Sequence, residues 1–178
     1  MDARGSVFQP FPPQNAWLEY DFSAFHQPTP ADLSKAIRKC ADGMIQPPIR
    51  NLGARGIQTA GQRICSWPDL MNDHELADAC ANVALYIRAD AGTGGGLFRW
   101  MYARFLQEAA ALLNESALEQ CAGKIKNAGD LWEKIADLLA PVQNRNDLKD
   151  RFLDIKQGFL ELYELEWSAW SRLVDILK

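Results

Sequence analysis

Histidine is scarce in this sequence, and it has no closely spaced cysteine pair and no long apolar run. The histidines are His26 and His74, too few for a metal site built on several imidazoles. The cysteines at positions 40, 65, 80 and 121 form no CxxC pair, so the usual spacing of zinc ligands is excluded. No stretch approaches the roughly 20 consecutive apolar residues of a membrane helix. We therefore expect no metal site and no membrane partner.

Composition and charge narrow the class further. The 178 residues are 48% hydrophobic and include six tryptophans and eight phenylalanines, enough for one domain with an apolar core. A formal net charge of -4 argues against a dedicated nucleic-acid binder. The first residues lead into proline-rich sequence rather than an apolar signal segment, so we expect a cytoplasmic location. In a reducing compartment the four cysteines, all within helical patterns, are expected to be small buried hydrophobes.

The N-terminal part differs from the rest of the chain. Residues 1–30 carry five of the nine prolines, which disfavours helix there. Within it, Trp17–Phe22 alternates large apolar and acidic residues, a pattern typical of a short strand or an extended arm. One strand cannot satisfy its own hydrogen bonds, so it must lie against the helical body or complete a sheet of another protein. We divide the chain into an extended arm, 1–28, and a single helical domain, 29–178.

The helical domain is predicted to be all-α, a bundle of about six helices. Thr29 is the expected cap of the first helix, and Pro47 ends it. The other helices are predicted over 57–65, from Asn72 or Asp73 to Ile87, from the glycine cluster to Leu113, over 116–139, and from Asn146 or Asp147 to the C-terminus. The last would be about 45–50 Å long if unbroken.

The last helix carries two adjacent apolar stripes, with Glu166 occupying one position of the apolar seam. Such a wide face is typical of the central core helix of a bundle. The alternative is that the part around Trp167 and Trp170 docks another chain, as in an oligomerising structural module.

No catalytic constellation is evident. His74-Glu75 begins like the HExxH zinc motif, but Asp78 replaces the second histidine, so we interpret it as a capped helix start and predict no metal. Cys65 is the cysteine that looks least buried, yet neither histidine is placed to activate it. We therefore assign no catalytic residue.

The strongest local signal is the glycine cluster Gly92-Thr93-Gly94-Gly95-Gly96, which precedes a predicted helix containing Arg99. Glycines at a helix start can present free N–H groups, which with an arginine could bind a phosphate or carboxylate. The alternative is tight packing of Gly94–Gly96 against a Trp or Phe of a neighbouring helix.

The segment Pro47–Gly56 is predicted to be a loop, with Arg50 and Arg55 on either side of Asn51. Functional residues often gather on such loops. The alternative is an ordered connection in which the Asn51 side chain stabilises its own turn.

Two sequence motifs occur together: QPPIRNLGARGI at 46–57 and AGTGGGLFR at 91–99. With Tyr102-Ala103, Glu108-Ala109-Ala110 and Gly129-Asp130-Leu131-Trp132, they resemble the C-terminal helical domain of butirosin-biosynthesis protein H-like proteins. The resemblance extends over residues 17–140.

The resemblance implies a bacterial accessory or acyl-transfer role in secondary metabolism. Members of that family pair an N-terminal cysteine-protease-like domain with such a helical domain, and the namesake moves an acyl group from an acyl carrier protein to an amine. This sequence has no room for the catalytic domain, and none of its cysteines matches the nucleophile. We therefore expect a non-catalytic accessory domain without a cofactor of its own, whose partner is a separate catalytic domain or a carrier protein with its phosphopantetheine.

Two alternatives remain open at this stage. One is a small stand-alone enzyme or metabolite-binding protein with its site at Gly92–Gly96, and the other is the oligomerising module. Under the accessory interpretation, Arg50, Arg55 and Arg99 are hypothesised to form one basic lip beside the glycines.

Overall fold

The computed structural model describes residues 19–91, 94–140 and 148–177. Within these ranges the chain is all-α, as the sequence predicts, and contains no strand. The elements in chain order are α1 (Pro30–Ile45), α2 (Gly53–Arg63), a 3-10 turn (Ile64–Ser66), α3 (Trp67–Leu70), α4 (Asp73–Ile87), α5 (Gly95–Leu113), α6 (Ala117–Leu138) and α7 (Leu148–Ile176).

Two helix starts are stabilised by the caps that the sequence indicates. The Thr29 hydroxyl accepts from the backbone N–H of Asp32 at 3.2 Å, while the Asp32 carboxylate accepts from the backbone N–H of Thr29 at 2.9 Å. At α4, Asn72 and Glu75 make the same reciprocal pair. Each reciprocal pair, a capping box, satisfies backbone N–H groups that the first helical turn leaves unpaired. The predicted starts of both helices are confirmed.

The region around α2 differs from the prediction. The helix begins at Gly53 rather than near Ile57, so the last part of the predicted loop is helical. Gly53 has φ +60, and a Cβ there would lie 2.4 Å from the Met44 carbonyl oxygen, so the turn requires glycine. Helical structure also continues past the predicted end at residue 65 and through Trp67. Pro68 is tolerated because it lies in the first turn of α3, where a backbone N–H would have no partner within the helix.

The three longest helices form the body of the domain. α5 ends at Leu113, and the left-handed conformation of the next residue, Asn114 (φ 51), lets the chain turn towards α6. α7 has 29 residues and runs unbroken through Gly158, where a Cβ would lie 3.0 Å from Ile135 of α6. The expected cap of α7, Asn146 or Asp147, lies outside the described residues.

The core surrounds α7, which packs against α1, α2 and α6. The interpretation of α7 as a central core helix is therefore confirmed. Its buried side chains belong to two apolar clusters, one toward each end of the helix. The largest fully buried apolar side chains are Ile37, Leu106, Leu118, Ile125, Ile135, Leu139, Ile155, Leu162 and Leu173.

The described part of the arm, residues 19–28, is exposed throughout and forms no strand. Its local order consists of a turn in which the Phe25 N–H donates to the Phe22 carbonyl. Of the two forms predicted for Trp17–Phe22, residues 19–22 form no strand within this chain, which leaves the extended arm; Trp17 and Leu18 lie outside the described residues. No helix in the described ranges is long and apolar enough to cross a membrane.

Candidate functional site

The glycine cluster lies where the end of α4 meets the start of α5. Gly92 and Thr93 are outside the described residues, Gly94 precedes α5, and Gly95 is its first residue. A Cβ on Gly95 would lie 2.4 Å from the Ile87 carbonyl oxygen, closer than real Cβ atoms approach. The backbone of α5 therefore packs directly on the last residue of α4.

The next glycine brings α5 against α6. A Cβ on Gly96 would lie 2.7 Å from Glu133 Oε1 and 3.0 Å from the Gly129 carbonyl oxygen. A Cβ on Gly129 would in turn lie 2.5 Å from Trp100 Cδ1. These distances agree with the packing interpretation, although the neighbours of Gly95 and Gly96 are Ile87, Gly129 and Glu133 rather than a Trp or Phe of another helix.

A carboxylate of the chain itself lies at this helix start. Glu133 Oε1 accepts the backbone N–H of Ala89 at 2.8 Å and lies beside Gly96 in the first turn of α5. The positive end of a helix dipole favours such a negative group. An external anion would meet this carboxylate as well as the helix dipole, so the position is less electropositive than the glycines alone suggest.

Arg99 is directed into the protein rather than towards solvent. Its Nε donates to Glu166 Oε1 at 2.8 Å and its Nη2 donates to Glu166 Oε2 at 2.9 Å, a bidentate ion pair. The side chain of Arg99 is 20% exposed and that of Glu166 is fully buried. The anion that Arg99 contacts in this structure is therefore a carboxylate of α7.

Two indoles complete the coordination of this carboxylate. Trp132 Nε1 donates to Glu166 Oε1 at 3.0 Å, and Trp170 Nε1 donates to Oε2 at 3.1 Å. Each oxygen of Glu166 thus accepts two hydrogen bonds. A buried charge is tolerated when it is paired and its remaining lone pairs are satisfied, and here this arrangement links α5, α6 and α7.

Sequence reasoning did not predict this cluster, which we call the Glu166 cluster (Arg99, Trp132, Glu166, Trp170). One signal for it was visible, since Glu166 interrupts an apolar seam of α7. Arg99 and Trp132 could not be found by pattern, because they lie 67 and 34 residues away, whereas Trp170 is one helical turn from Glu166 on α7.

The other predicted binding residues are at the start of α2 rather than at the start of α5. Arg50 and Asn51 are exposed in the turn before α2, and Arg55 is in the first turn of α2. The Arg55 guanidinium carbon lies 5.5 Å from the centre of the Trp167 ring, a cation–π contact. Because Arg99 points into the core, it does not contribute to an exposed lip with Arg50 and Arg55.

The tryptophan pair on α7 is split between the core and the surface. Trp170 is buried, with its ring 5.0 Å from that of Tyr102, whereas Trp167 is half-buried beneath Arg55. Trp170 is therefore not available to dock another chain.

The nucleophilic and metal-ligating side chains are dispersed. Cys80 and Cys121 are buried as expected, and burial raises the pKa of both thiols. Cys40 is exposed, so its predicted burial is wrong. His74 Nδ1 lies 3.1 Å from the Asp78 carboxylate on the surface of α4. Within the described ranges no group of three His, Cys, Asp or Glu side chains is arranged to hold a metal.

The protein is an all-α bundle whose central helix, α7, carries the buried carboxylate of the Glu166 cluster. A family model described as a domain of unknown function (DUF4872) matches residues 1–173, and the chain belongs to this family. Neither the comparison with curated proteins nor that with solved structures gives a match.

Proposed function

We propose that this chain is a non-catalytic helical accessory domain that binds a separate catalytic domain of acyl transfer in bacterial secondary metabolism. The resemblance to the helical half of butirosin-biosynthesis protein H-like proteins supports the type of partner. We also propose that it acts in the cytoplasm.

The observation that carries the proposal is the exposed aromatic arm, defined as Tyr20, Phe22 and Phe25. These side chains are 74%, 71% and 66% exposed, although each could bury a large apolar surface. The rings of Tyr20 and Phe22 lie 6.2 Å apart and stacked. A contiguous exposed set of aromatic side chains next to a folded body is typical of a protein-interaction segment.

The backbone of the arm suits one mode of binding. Residues 19–21 are outside helices and turns, so their N–H and C=O groups are free to pair with a sheet edge, the mode called β-augmentation, whereas the Phe22 carbonyl accepts the Phe25 N–H. Helices alone make up the described body, so the sheet edge would belong to the partner.

The internally paired carboxylates of the body support a scaffold role. Glu166 is buried and held by Arg99 and two indoles, and the half-buried Glu133 accepts the N–H of Ala89. A carboxylate whose oxygens are occupied in this way stabilises helix packing and is poorly placed to exchange protons with a substrate.

The test is binding to the cysteine-protease-like domain encoded nearest to this chain, measured by titration calorimetry. We expect the triple variant Tyr20→Ala/Phe22→Ala/Phe25→Ala to weaken Kd at least about tenfold, because each lost aromatic contact is worth on the order of 1.5–3 kcal/mol when fully buried.

The matched control is Leu70→Ala/Leu112→Ala, two exposed apolar side chains on the body, which should leave Kd within about twofold. Equal Kd values for the arm variant and the unchanged chain would overturn the proposal, as would the absence of binding. Circular dichroism of each variant verifies that the helical body is folded.

The two alternative functions have less support. A metabolite site at Gly92–Gly96 would place an anion beside the Glu133 carboxylate, and an oligomer through Trp167 and Trp170 would need a side chain that is in the core. We therefore propose neither.

A further inference from the structure

A polar cleft of about 360 Å³ lies between α6 and α7. This volume is near the lower end of the roughly 300–1,000 Å³ that ligand pockets occupy, so its occupant must be small. Neither the Glu166 cluster nor the aromatic arm contributes to the cleft, which is therefore a separate feature of the molecule. Six polar or charged side chains line it: Gln120, Lys124, Ser168, Ser171, Arg172 and Asp175.

Helix geometry explains why these side chains share one cleft. The four lining residues of α7 follow one another at steps of three, one and three positions, which places them on one face of that helix. Gln120 and Lys124 are one turn apart on α6, so they too share a face. A hydrogen bond joins the two faces, because Lys124 Nζ donates to Ser168 Oγ at 2.6 Å.

The floor of the cleft is formed by Cys121, which is 1% exposed. Burial raises the pKa of its thiol, and the positive charges of Lys124 and Arg172 act in the opposite direction. Both cations therefore lie close enough to the floor for their fields to reach the same sulfur atom. Ser168 and Ser171 are half-buried along the wall, whereas the two cations are exposed at the rim.

The cations of the cleft are not neutralised by ion pairs within the described ranges. Lys124 donates to the uncharged hydroxyl of Ser168, and Arg172 forms no ion pair with a described residue. Lys126 differs, since this lysine of the same helix pairs with Asp130 at 2.8 Å. The positive charges of the cleft are therefore available to an anion.

The charge of the cleft limits its ligand to one anionic group. Asp175 lies seven positions from Ser168, about 10 Å along α7, so the acidic side chain and the Lys124–Ser168 pair are at opposite ends of the lining. Two cations and one carboxylate leave an excess of one positive charge. A polyphosphate would bring several negative charges into this small space, beside the Asp175 carboxylate.

The number of donors favours a phosphate over a carboxylate. An ammonium offers three N–H donors and a guanidinium five, and each serine hydroxyl adds one. Because Lys124 donates to Ser168 Oγ, the Ser168 hydroxyl keeps its own proton for a ligand. These donors come from two helices and approach from different directions, which suits three tetrahedral phosphate oxygens better than two coplanar carboxylate oxygens.

We propose that the cleft between α6 and α7 binds a small molecule that bears a single phosphate group. Lys124 and Arg172 neutralise the phosphate, and Ser168 and Ser171 donate hydrogen bonds to it. The aromatic arm does not line the cleft, so this inference does not rest on the proposed function.

The test follows the proton–nitrogen NMR correlation spectrum of the full chain during titration with methyl phosphate, the simplest phosphate monoester, at constant ionic strength. We expect saturable shifts concentrated in residues 120–124 and 168–175, with a Kd on the order of 1 mM because both cations are exposed. Inorganic phosphate should displace methyl phosphate from the same residues, since both present the recognised group. Acetate should bind at least about tenfold more weakly, because it offers fewer oxygens.

Variants of the lining residues assign the shifts to the cleft. Lys124→Ala and Arg172→Ala should each raise the Kd of methyl phosphate at least about tenfold, because each removes hydrogen bonds to a charged group, and Ser168→Ala should raise it about threefold. Lys126→Ala is the matched control, since it removes an exposed lysine of α6 that pairs with Asp130 and does not line the cleft. It should change Kd less than about twofold. The spectrum of each free variant verifies that it is folded.

Three outcomes would overturn the inference: the absence of saturable shifts with methyl phosphate, equal affinities for acetate and methyl phosphate, or an equal loss of binding in Lys126→Ala and the two cation variants of the cleft. Saturation by inorganic phosphate without any effect of the ester would also overturn it, because the ligand would then be the free ion rather than a molecule that bears a phosphate group.

Discussion

Replacing Glu166 by glutamine should destabilise the protein strongly although it changes only one atom of the side chain. The carboxylate is fully buried and accepts four hydrogen bonds, two from Arg99 and one each from Trp132 and Trp170. Glutamine keeps one acceptor oxygen, but its NH2 group faces donors, and the Arg99 charge loses its partner. Removing one member of a buried ion pair costs roughly 3–5 kcal/mol, so we expect a loss of about 3–4 kcal/mol.

Urea unfolding followed by circular dichroism measures this loss directly. For a domain of this size, the same change corresponds to a fall in Tm of about 10 °C. Glu161→Gln is the control, because Glu161 is exposed on the same helix, and it should change the free energy of unfolding by less than about 0.5 kcal/mol.

A double-mutant cycle isolates the ion pair from the rest of the cluster. Arg99→Met/Glu166→Gln removes both charges, so it should destabilise by less than the sum of the two single variants, with a coupling of about 2 kcal/mol. If Glu166→Gln lies within about 1 kcal/mol of the unchanged protein, the Glu166 cluster does not organise the three helices and the reasoning is refuted.

Three further predictions concern other polar groups. Tyr102→Phe should leave the free energy of unfolding in urea unchanged or raise it by up to about 1 kcal/mol, because the Tyr102 hydroxyl is buried without a well-formed hydrogen bond to described residues. A decrease of more than about 1 kcal/mol would contradict this prediction. Cys40 should react with a thiol reagent in the folded protein and Cys121 only on unfolding, because Cys40 is exposed whereas burial raises the pKa of the Cys121 thiol. Since Cys65 is half-buried, a fast phase that persists in Cys40→Ser/Cys65→Ser would refute this. The hydrogen bond from Lys126 lowers the pKa of Asp130, so its carboxylate stabilises the fold above the usual aspartate pKa of about 3.9 and loses that effect as pH falls through the lowered value. Asp130→Asn should therefore unfold more easily than the unchanged protein near neutral pH and equally in strong acid, and a constant difference across that range would show the assignment to be wrong.

Local chemistry accounts for the parts of the fold that the sequence predicts well. Thr29 and Asn72 each have a carboxylate three residues later, so both helix starts are specified within one turn of chain. The long apolar stripes of α7 likewise predict a central helix, because a helix that is buried on several sides shows this in the spacing of its own apolar residues.

Interactions between distant segments account for the parts that the sequence did not predict. The start of α2 depends on Gly53 packing against Met44, and the structural role of Gly95 depends on Ile87 of the preceding helix. Glycines that present N–H groups to an anion and glycines that admit a neighbouring backbone have the same sequence pattern. The choice between them is made by the tertiary neighbours, which no local pattern contains.

The two arginines near helix starts show how tertiary neighbours change the role expected of a residue from its sequence. Arg55 and Arg99 lie in the first two turns of α2 and α5, each close to glycines, and sequence reasoning treated them alike. Arg99 meets the buried carboxylate of Glu166, so its charge is compensated inside the protein. Arg55 meets an aromatic ring at the surface, which attracts the guanidinium without neutralising it. The sequence pattern alone therefore does not decide which of the two guanidinium charges is compensated; the tertiary neighbours of each arginine do.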